Sequence, residues 1–134
     1  LRGGFYNWET TPTGITYRWT DGLARIELPY LEDGDALLRL QVAGGRPDGV
    51  EEARLSVVVN DTPVVQEGLP TGFTFQTVQV TVPRQLLSTN QQRVVIELQS
   101  NSWIPADRGY GADVRKLGVA VDAREWQAMG IDSR

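Results

Sequence analysis

The sequence predicts an all-β domain, a two-sheet antiparallel β-sandwich of the jelly-roll type, with an immunoglobulin-like sandwich as the alternative topology. Three observations predict this fold. Apolar side chains recur at every second position in most segments, which is the period of a half-buried strand. Turn-forming residues interrupt these segments roughly every eight to twelve residues. Helical periodicity is weak throughout, and the segment 123–128 is too short to predict a helix.

The first strand is expected at residues 4–9, an aromatic segment that ends at a Thr/Pro/Gly turn. A second strand follows at 15–20, where apolar and polar residues alternate. Because two of the three aromatic side chains of this region follow the inward alternation, we expect Trp8, Tyr17 and Trp19 in the core.

Turn signals divide the next part of the chain. The Asp-Gly pair at 21–22 is typical of a hairpin turn, which predicts a separate strand at 24–28. The acidic segment 31–35 is then a polar turn, and residues 38–42 form another half-buried strand. Residues 44–49 form a loop by composition.

The middle of the chain predicts a hairpin followed by a change of phase. Residues 54–59 alternate, and the pair at 60–61 turns the chain into the returning strand 63–67. In the segment 73–82 the two phenylalanines and the three valines fall on opposite faces. A bulge near residues 76–77, or a crossing between sheets, would reconcile them.

The last third of the chain is expected to hold two strands separated by a long loop. Residues 86–90 are compatible with one helical turn, and 94–98 form the next strand. The final predicted strand is centred on 117–121. All 134 residues are expected to form one domain, cut from a longer protein.

Composition excludes several classes of function. The chain contains no cysteine and no histidine, so it can form no disulfide, Cys/His zinc site or Ser-His-Asp triad. Its net charge of −4 argues against nucleic acid as a partner, because nucleic acid requires a basic surface. A glycosidase would need two carboxylates facing each other across a cleft. A sandwich of this size has little room for one, so we predict no catalytic activity.

The long loop carries the candidate ligand-binding residues. Trp103 and Tyr110 provide aromatic rings of the kind that stack on sugar faces, and Asp107 and Arg108 provide planar partners for hydroxyl groups. In the alternative interpretation, Trp103 closes one end of the sandwich, while Pro105 and the glycines shape a crossover. Sequence alone leaves both open.

Asp113 and Arg115 are a second candidate pair at the end of this loop. Their spacing of two places both side chains on one face if the segment is a strand, where they could hold a sugar hydroxyl together. The structural alternative is that they anchor the loop, with Glu9 paired to Arg18 or Arg115.

A metal site receives little support from the sequence. The acidic turn 32–35, Glu-Asp-Gly-Asp, resembles a fragment of a calcium loop, since calcium prefers clustered carboxylates. It lacks the spacing of an EF-hand, so a solvated turn is the preferred interpretation. We expect no cofactor, with a structural calcium as the lesser alternative.

Two local patterns together resemble a known family. Residues 4–9, Gly-Phe-Tyr-Asn-Trp-Glu, precede Tyr-Arg-Trp-Thr at 17–20 and Ala-Arg-Ile-Glu-Leu-Pro at 24–29. Ser-Trp-Ile-Pro at 102–105 precedes Asp-Val-Arg-Lys-Leu-Gly-Val at 113–119. This order is similar to the carbohydrate-binding-module-like sandwich domains of bacterial membrane glycosyltransferases of the dolichyl-phosphate-mannose-mannosyltransferase type.

The resemblance implies a sandwich outside the cytoplasm, periplasmic or at the cell surface, tethered through the membrane domain of its own polypeptide. It marks Glu9, Arg18, Asp113 and Arg115 as the charged positions of the pattern and carries over no catalytic residue. Two functions follow as hypotheses. The first is a non-catalytic accessory domain that binds polysaccharide or lipid-linked sugar. The second is a structural or protein-interaction domain without a sugar ligand.

Overall fold

The computed structural model describes residues 2–29, 36–83 and 93–130, and these residues form eight strands. The strands are β1 (Arg2–Thr10), β2 (Thr16–Pro29), β3 (Ala36–Ala43), β4 (Ala53–Val59), β5 (Thr62–Leu69), β6 (Gln76–Val82), β7 (Arg93–Ser100) and β8 (Ala120–Gly130). Within these ranges the helical structure is one 3-10 turn, Pro105–Arg108. None of it is long or apolar enough to span a membrane.

All strand pairs are antiparallel, and the strand order is β5-β4-β7-β2-β8-β3-β6, with β1 paired to β2. The long strand β2 belongs to both sheets. Its residues 17–19 pair with β8, and its residues 23–29 pair with β7. The predicted two-sheet antiparallel β-sandwich of the jelly-roll type is therefore confirmed.

The predicted hairpin turn at residues 21–22 is wrong, because β2 runs through it without interruption. Gly22 has a φ of +106°, and the Asp21 carboxylate accepts a hydrogen bond from the backbone of Leu23 at 3.0 Å. The same two features would build a hairpin. Here they bend one strand at the point where it changes partner from β8 to β7.

The hairpin between β4 and β5 is confirmed. Asn60 and Asp61 have φ values of +46° and +71°, as a two-residue turn of the primed type requires. The Asn60 side chain also accepts a hydrogen bond from the backbone of Val95 at 2.8 Å. This bond fastens the hairpin tip to β7.

Four other expectations concern segments 31–35, 73–82, 86–90 and 123–128. The phase change in segment 73–82 needs neither a bulge nor a crossing, because β6 begins only at Gln76 and both phenylalanines precede it. The weak helical period at 123–128 lies within β8. The predicted turn at 31–35 and the helical turn at 86–90 lie outside the described residues.

Two hydrophobic clusters fill the space between the sheets. The larger cluster contains buried side chains from β2 to β8, among them Leu40, Leu55, Val57, Ile96 and Leu98. Each such side chain contributes about 1.5–3 kcal/mol when it leaves water. The smaller cluster lies at one end of the sandwich and consists of Trp19, Ala43, Leu117 and Ala120, with Tyr6, Tyr17, Phe75 and Trp103 packed against it.

The expected aromatic core is correct in part. Trp19 is buried, and Tyr17 is half-buried beside it. Trp8 is 45% exposed, so its assignment to the core is wrong. It lies opposite Arg18 in the β1–β2 pairing, and the Arg18 guanidinium stacks 4.7 Å from the centre of its ring. A cation of this kind stabilises a tryptophan that remains at the surface.

Candidate functional site

Four connections meet at the end of the sandwich that holds the smaller cluster. They are residues 11–15 between β1 and β2, 44–52 between β3 and β4, 70–75 between β5 and β6, and 101–119 between β7 and β8. We call this region the loop end. Loops held by a rigid sheet scaffold are common positions for binding residues.

A buried arginine holds two of these connections together, 44–52 and 101–119. Arg46 is 1% exposed and donates to the carbonyl oxygens of Gly44 at 2.8 Å, Asn101 at 2.7 Å and Gly118. Its guanidinium lies 5.9 Å from the ring centre of Trp103. Burial lowers the pKa of Arg46 to about 10, against a smaller opposing effect of Glu51. The side chain therefore remains charged at neutral pH and joins the loops through their backbones.

Sequence reasoning missed Arg46. The one available signal was its place in a Gly-Gly-Arg-Pro segment, because two glycines let the backbone approach neighbouring elements closely. Gly45 has a φ of +71°, and a β-carbon there would collide with the indole of Trp19. Nothing in the local sequence says that the arginine turns inward.

The loop 101–119 closes on itself as a compact unit. The backbones of Trp103 and Leu117 exchange two hydrogen bonds of 3.0 and 2.8 Å at its base. Above them, Ala106 donates to the carbonyl of Asp113 at 2.8 Å, and Tyr110 donates to that of Pro105 at 2.9 Å. These bonds fix the positions of the candidate side chains that the sequence placed on this loop.

Trp103 and Tyr110 lie in edge-to-face contact, with ring centres 6.0 Å apart. Trp103 is half-buried against the smaller cluster, and its Nε1 atom is buried, so this atom is not offered to a ligand at the surface. Tyr110 is 45% exposed and donates its hydroxyl hydrogen to the carbonyl of Asp48 at 3.0 Å. The geometry presents the ring of Tyr110 to solvent and uses Trp103 to close the end of the sandwich.

Asp107 and Arg108 lie on the 3-10 turn, and both are exposed. Arg108 donates to the carbonyl of Gly49 at 3.4 Å, which places it over the loop 44–52. The structure therefore brings Tyr110 and Arg108 to the same neighbouring loop, at Asp48 and Gly49. Asp107 lies on the same turn, immediately before Arg108.

Asp113 and Arg115 lie outside the strands, so the expectation that a strand aligns them is wrong. They bind each other directly: the Arg115 Nε and Nη2 atoms donate to the Asp113 carboxylate at 3.0 and 2.8 Å. The Nη1 atom donates to Glu9 at 3.0 Å, which confirms the predicted link from Glu9 and identifies its partner. The pair thereby anchors the loop to β1, and Tyr17 donates its hydroxyl hydrogen to Glu9 at 3.3 Å.

Removing the charge of Asp113 is expected to destabilise the protein in a pH-dependent way. Hydrogen bonds from Arg115 hold the pKa of Asp113 below its usual value of 3.8. A lowered carboxyl pKa stabilises the fold above pH 3.8, and this contribution is lost as the pH falls through the lowered pKa. For Asp113→Asn we expect the free energy of unfolding to fall by about 1 kcal/mol at pH 7, since the pair is partly exposed.

Urea titrations of both proteins between pH 7 and pH 2.5 measure this difference. We expect the two unfolding curves to converge below pH 4. A difference that stays constant over this range would contradict an electrostatic role and would indicate a change of packing.

A row of aromatic rings extends from the smaller cluster to the surface. Tyr17 and Phe73 lie 4.9 Å apart between ring centres, and Phe73 lies 5.7 Å from Trp19 and 5.4 Å from Phe75. Trp19 is buried, whereas Phe73 is 39% exposed. The row therefore supports an aromatic ring at the surface with rings packed beneath it.

An open depression of about 360 Å³ lies beside this ring. It is lined by Thr10, Thr11, Pro12, Thr13, Ile15, Tyr17 and Phe73. Hydrogen bonds within the turn hold its hydroxyl groups: the Thr11 and Thr13 oxygens are 3.0 Å apart, and the backbone of Ile15 donates to Thr11 at 3.0 Å. Aromatic rings beside hydroxyl groups in a shallow depression can bind a hydroxylated ligand with apolar faces.

Sequence reasoning missed the depression as a site, because its wall combines one turn near the start of the chain with Phe73 from the middle. The available signals were the three threonines around Pro12 and a phenylalanine next to Gly72 in a loop. Either signal alone is ordinary turn composition.

Metal binding is not indicated within the described residues, where no three or more acidic side chains are grouped to hold an ion. The acidic turn at 32–35 lies outside those residues, so both the preferred solvated turn and the lesser alternative of a structural calcium stay predictions there. The two carboxylates that approach each other at the loop end, Glu9 and Asp113, are both bound to Arg115.

Comparisons with known proteins found similarity in structure alone: no family model matches the sequence, and no curated protein matches it. A family 35 carbohydrate-binding module from Clostridium thermocellum aligns over 91% of this chain and 86% of its own, with 15% identity and a TM-score of 0.57. A family 35 module from an environmental isolate aligns over 96% and 93%, with 18% identity and a TM-score of 0.52.

A GH26-CBM35 β-(1,4)-mannanase from Podospora anserina aligns with 15% identity and a TM-score of 0.52. The match covers 100% of this chain and 26% of that protein. At these identities the comparisons establish the fold. The chain has the β-sandwich architecture of carbohydrate-binding modules.

Proposed function

We propose that this chain is a non-catalytic glycan-binding domain that binds sugar in the depression beside Phe73. The observation that carries the proposal is an aromatic ring, 39% exposed, beside an open depression with threonine hydroxyl groups. It lies at the loop end of a sandwich whose architecture is shared with carbohydrate-binding modules. The fold is compatible with glycan binding, but the proposal rests on the side chains of the depression.

The depression offers a sugar both kinds of contact that it needs. The apolar C–H face of a pyranose ring packs on the exposed face of Phe73, and Tyr17 lies at 67° to that ring and closes one side. Sugar hydroxyl groups can bond to the hydroxyl groups of Thr11 and Thr13, which both donate and accept. Since the depression is open and shallow, we expect weak binding to each sugar unit and stronger binding to a polymer.

The long loop contributes in two ways to the proposed function. Its exposed groups, Asp107, Arg108 and Tyr110, extend the polar and aromatic surface of the loop end toward longer ligands. Its inner groups serve the scaffold: Trp103 closes the sandwich, and Arg115 holds Glu9 and Asp113 in place. No sugar contact is assigned to Trp103, Asp113 or Arg115.

Replacing Phe73 with alanine is expected to weaken glycan binding about ten-fold or more, because the stacking ring is removed. The measurement is a glycan array of plant, fungal and bacterial polysaccharides, followed by calorimetric titration of the best binder. Phe73→Tyr keeps the ring and should keep the affinity. Trp8→Ala is the matched control, since Trp8 is exposed to a similar extent but does not line the depression.

Two results would contradict the proposal. One is the absence of binding to any glycan by a folded protein. The other is binding that Phe73→Ala leaves unchanged while its melting temperature shows that the variant is folded. The second result would indicate that the site lies elsewhere on the surface, and Tyr110 would be the next ring to replace.

We further propose the setting that the sequence resemblance implies. In this proposal the domain lies outside the cytoplasm as an accessory part of a bacterial membrane glycosyltransferase, and it holds polysaccharide or lipid-linked sugar near the catalytic domain. The support is the order of the short motifs at 4–29 and 102–119. A topology reporter fused to this domain in the full-length parent tests it, and cytoplasmic signal would contradict it.

A protein-interaction domain is the second candidate, and one observation favours it. Val114 is 76% exposed, at a turn held by the hydrogen bonds between Asp113 and Arg115. A rigid turn that presents an aliphatic side chain suits contact with another protein surface. A negative glycan array, together with loss of association to the parent's membrane domain in Val114→Asp, would favour this function.

A further inference from the structure

Resting on the glycan-binding function proposed above, we propose that the depression beside Phe73 selects uncharged sugar units over acidic ones. Glu9 is the residue that determines this specificity. Arg115 does not oppose it, because its guanidinium is already bound to protein carboxylates.

The lining itself is uncharged. Its side chains are threonine, proline, isoleucine, tyrosine and phenylalanine, none of which carries a charge at neutral pH. Burial and the nearby Glu9 carboxylate raise the pKa of Tyr17, so this phenol also remains neutral. A sugar carboxylate placed here would lose water without gaining a cationic partner, which is costly.

The border of the depression is negative. Glu9 precedes the lining residue Thr10, and its carboxylate accepts a hydrogen bond from the Tyr17 hydroxyl at 3.3 Å. Its side chain is 34% exposed, and its carboxylate lies within hydrogen-bond distance of the lining residue Tyr17. A carboxylate accepts hydrogen bonds from sugar hydroxyl groups and repels a sugar carboxylate.

Arg115, which binds Glu9 at this border, already has carboxylate partners for its guanidinium. Carboxylates are recognised by two parallel N–H groups of a guanidinium. In Arg115 those two groups, on Nε and Nη2, are bound to Asp113, and Nη1 is bound to Glu9. One arginine and two carboxylates leave this group with a net charge of about −1 at neutral pH. An acidic sugar finds neither a free bidentate partner nor a positive field at this position.

The other arginines of the loop end do not compensate for this charge at the depression. Arg46 is buried and bound to backbone carbonyls, and Arg108 lies over Gly49. Neither lines the depression, and Arg18 and Lys116 do not line it either. The electrostatic preference therefore depends on Glu9 and the partners of Arg115.

Matched pairs of glycans test the inference. The probes are β-1,4-glucan, β-1,4-mannan and β-1,4-galactan oligosaccharides, each beside the same oligosaccharide with its C6 hydroxymethyl groups oxidised to carboxylates. We expect at least five-fold weaker binding of the oxidised member in 50 mM salt, and a smaller difference in 500 mM salt. Glu9→Gln should bring the two affinities close together, with its melting temperature confirming that it is folded.

Glu67→Gln is the matched control, because it changes the net charge equally at an exposed carboxylate that does not line the depression. Equal or tighter binding of an oxidised member by the unmodified protein overturns the inference. So does an equal effect of Glu9→Gln and Glu67→Gln, which would indicate a general effect of net charge. In both cases Phe73→Ala still weakens binding, and the proposed function stands. If none of the glycans in either form is bound, the proposed function itself fails.

Discussion

Replacing Arg46 with methionine is expected to lower the free energy of unfolding by about 3–5 kcal/mol. Methionine fills much of the same space but donates no hydrogen bond. The carbonyl groups of Gly44, Asn101 and Gly118 then lose their donor in the interior of the loop end. Each unpaired buried carbonyl costs about 1–3 kcal/mol, and the gain from removing a buried charge offsets part of this. Urea denaturation measures the change directly.

Two further variants separate hydrogen bonding from charge at Arg46. Lysine keeps the charge but has one nitrogen, which cannot reach three carbonyl groups on separate segments, so an intermediate loss is expected. Arg54→Met is the control, because Arg54 has a side chain that is 68% exposed and bound to Glu51 at the surface. A free energy of unfolding for Arg46→Met within about 1 kcal/mol of the unmodified protein would show that the loops hold together without this side chain.

Most of the fold could be predicted from the sequence because strand burial is encoded locally. In β6 the apolar residues at every second position are the buried ones, so the period alone identifies the inward face. In β4 the same period identifies Ala53, Leu55, Val57 and Val59, although Val58 on the other face is buried as well.

Residues 21–22 could not be assigned in the same way. An Asp-Gly pair permits both a hairpin and a bend within a strand. The choice between them depends on β7 and β8, which begin only at Arg93 and Ala120, far along the chain.

The candidate site was predictable only where its residues are adjacent in sequence. The long loop could be predicted because its charged and aromatic residues stand out in a short segment. The link from Glu9 to Arg115 joins distant residues, and the sequence narrowed the partner of Glu9 only to Arg18 or Arg115. The depression could not, because Thr11 and Phe73 come together only after the sandwich is formed. Burial of Arg46 was equally unpredictable, since its partners are mostly backbone carbonyls, which have no signature in a sequence.

The two unpredicted features are connected through Trp19. Its indole lies directly against Gly45, the neighbour of Arg46, and its other contacts include Phe73 and Tyr17. The connection 44–52, which Arg46 holds in place, is thus packed against Trp19, and Trp19 in turn supports Phe73 in the proposed binding surface. For this reason variants of the scaffold at the loop end require a binding measurement alongside a stability measurement.

Replacing Gly118 with alanine is expected to lower the free energy of unfolding by about 3 kcal/mol, at the upper end of overpacking effects. A β-carbon at this position would lie 2.6 Å from the backbone nitrogen of Gly22 and 2.8 Å from the Ser100 hydroxyl oxygen, and closer still to the Thr20 hydroxyl oxygen. The backbone cannot give way cheaply, because Gly118 donates to the carbonyl of Thr20 at 2.7 Å and accepts from Arg46.

Two other glycines separate steric crowding from backbone strain. Gly111 has a φ of +87° with open space around it, so Gly111→Ala should cost only about 1–2 kcal/mol of conformational strain. Gly3 has open space and a φ outside the left-handed region, and Gly3→Ala should be close to neutral. The expected order of destabilisation in urea is Gly118, then Gly111, then Gly3. A Gly118→Ala protein as stable as Gly111→Ala would contradict this prediction. It would mean that the bend of β2 moves to make room for the methyl group. The close contact between β2 and the start of β8 would then not hold the loop end in place.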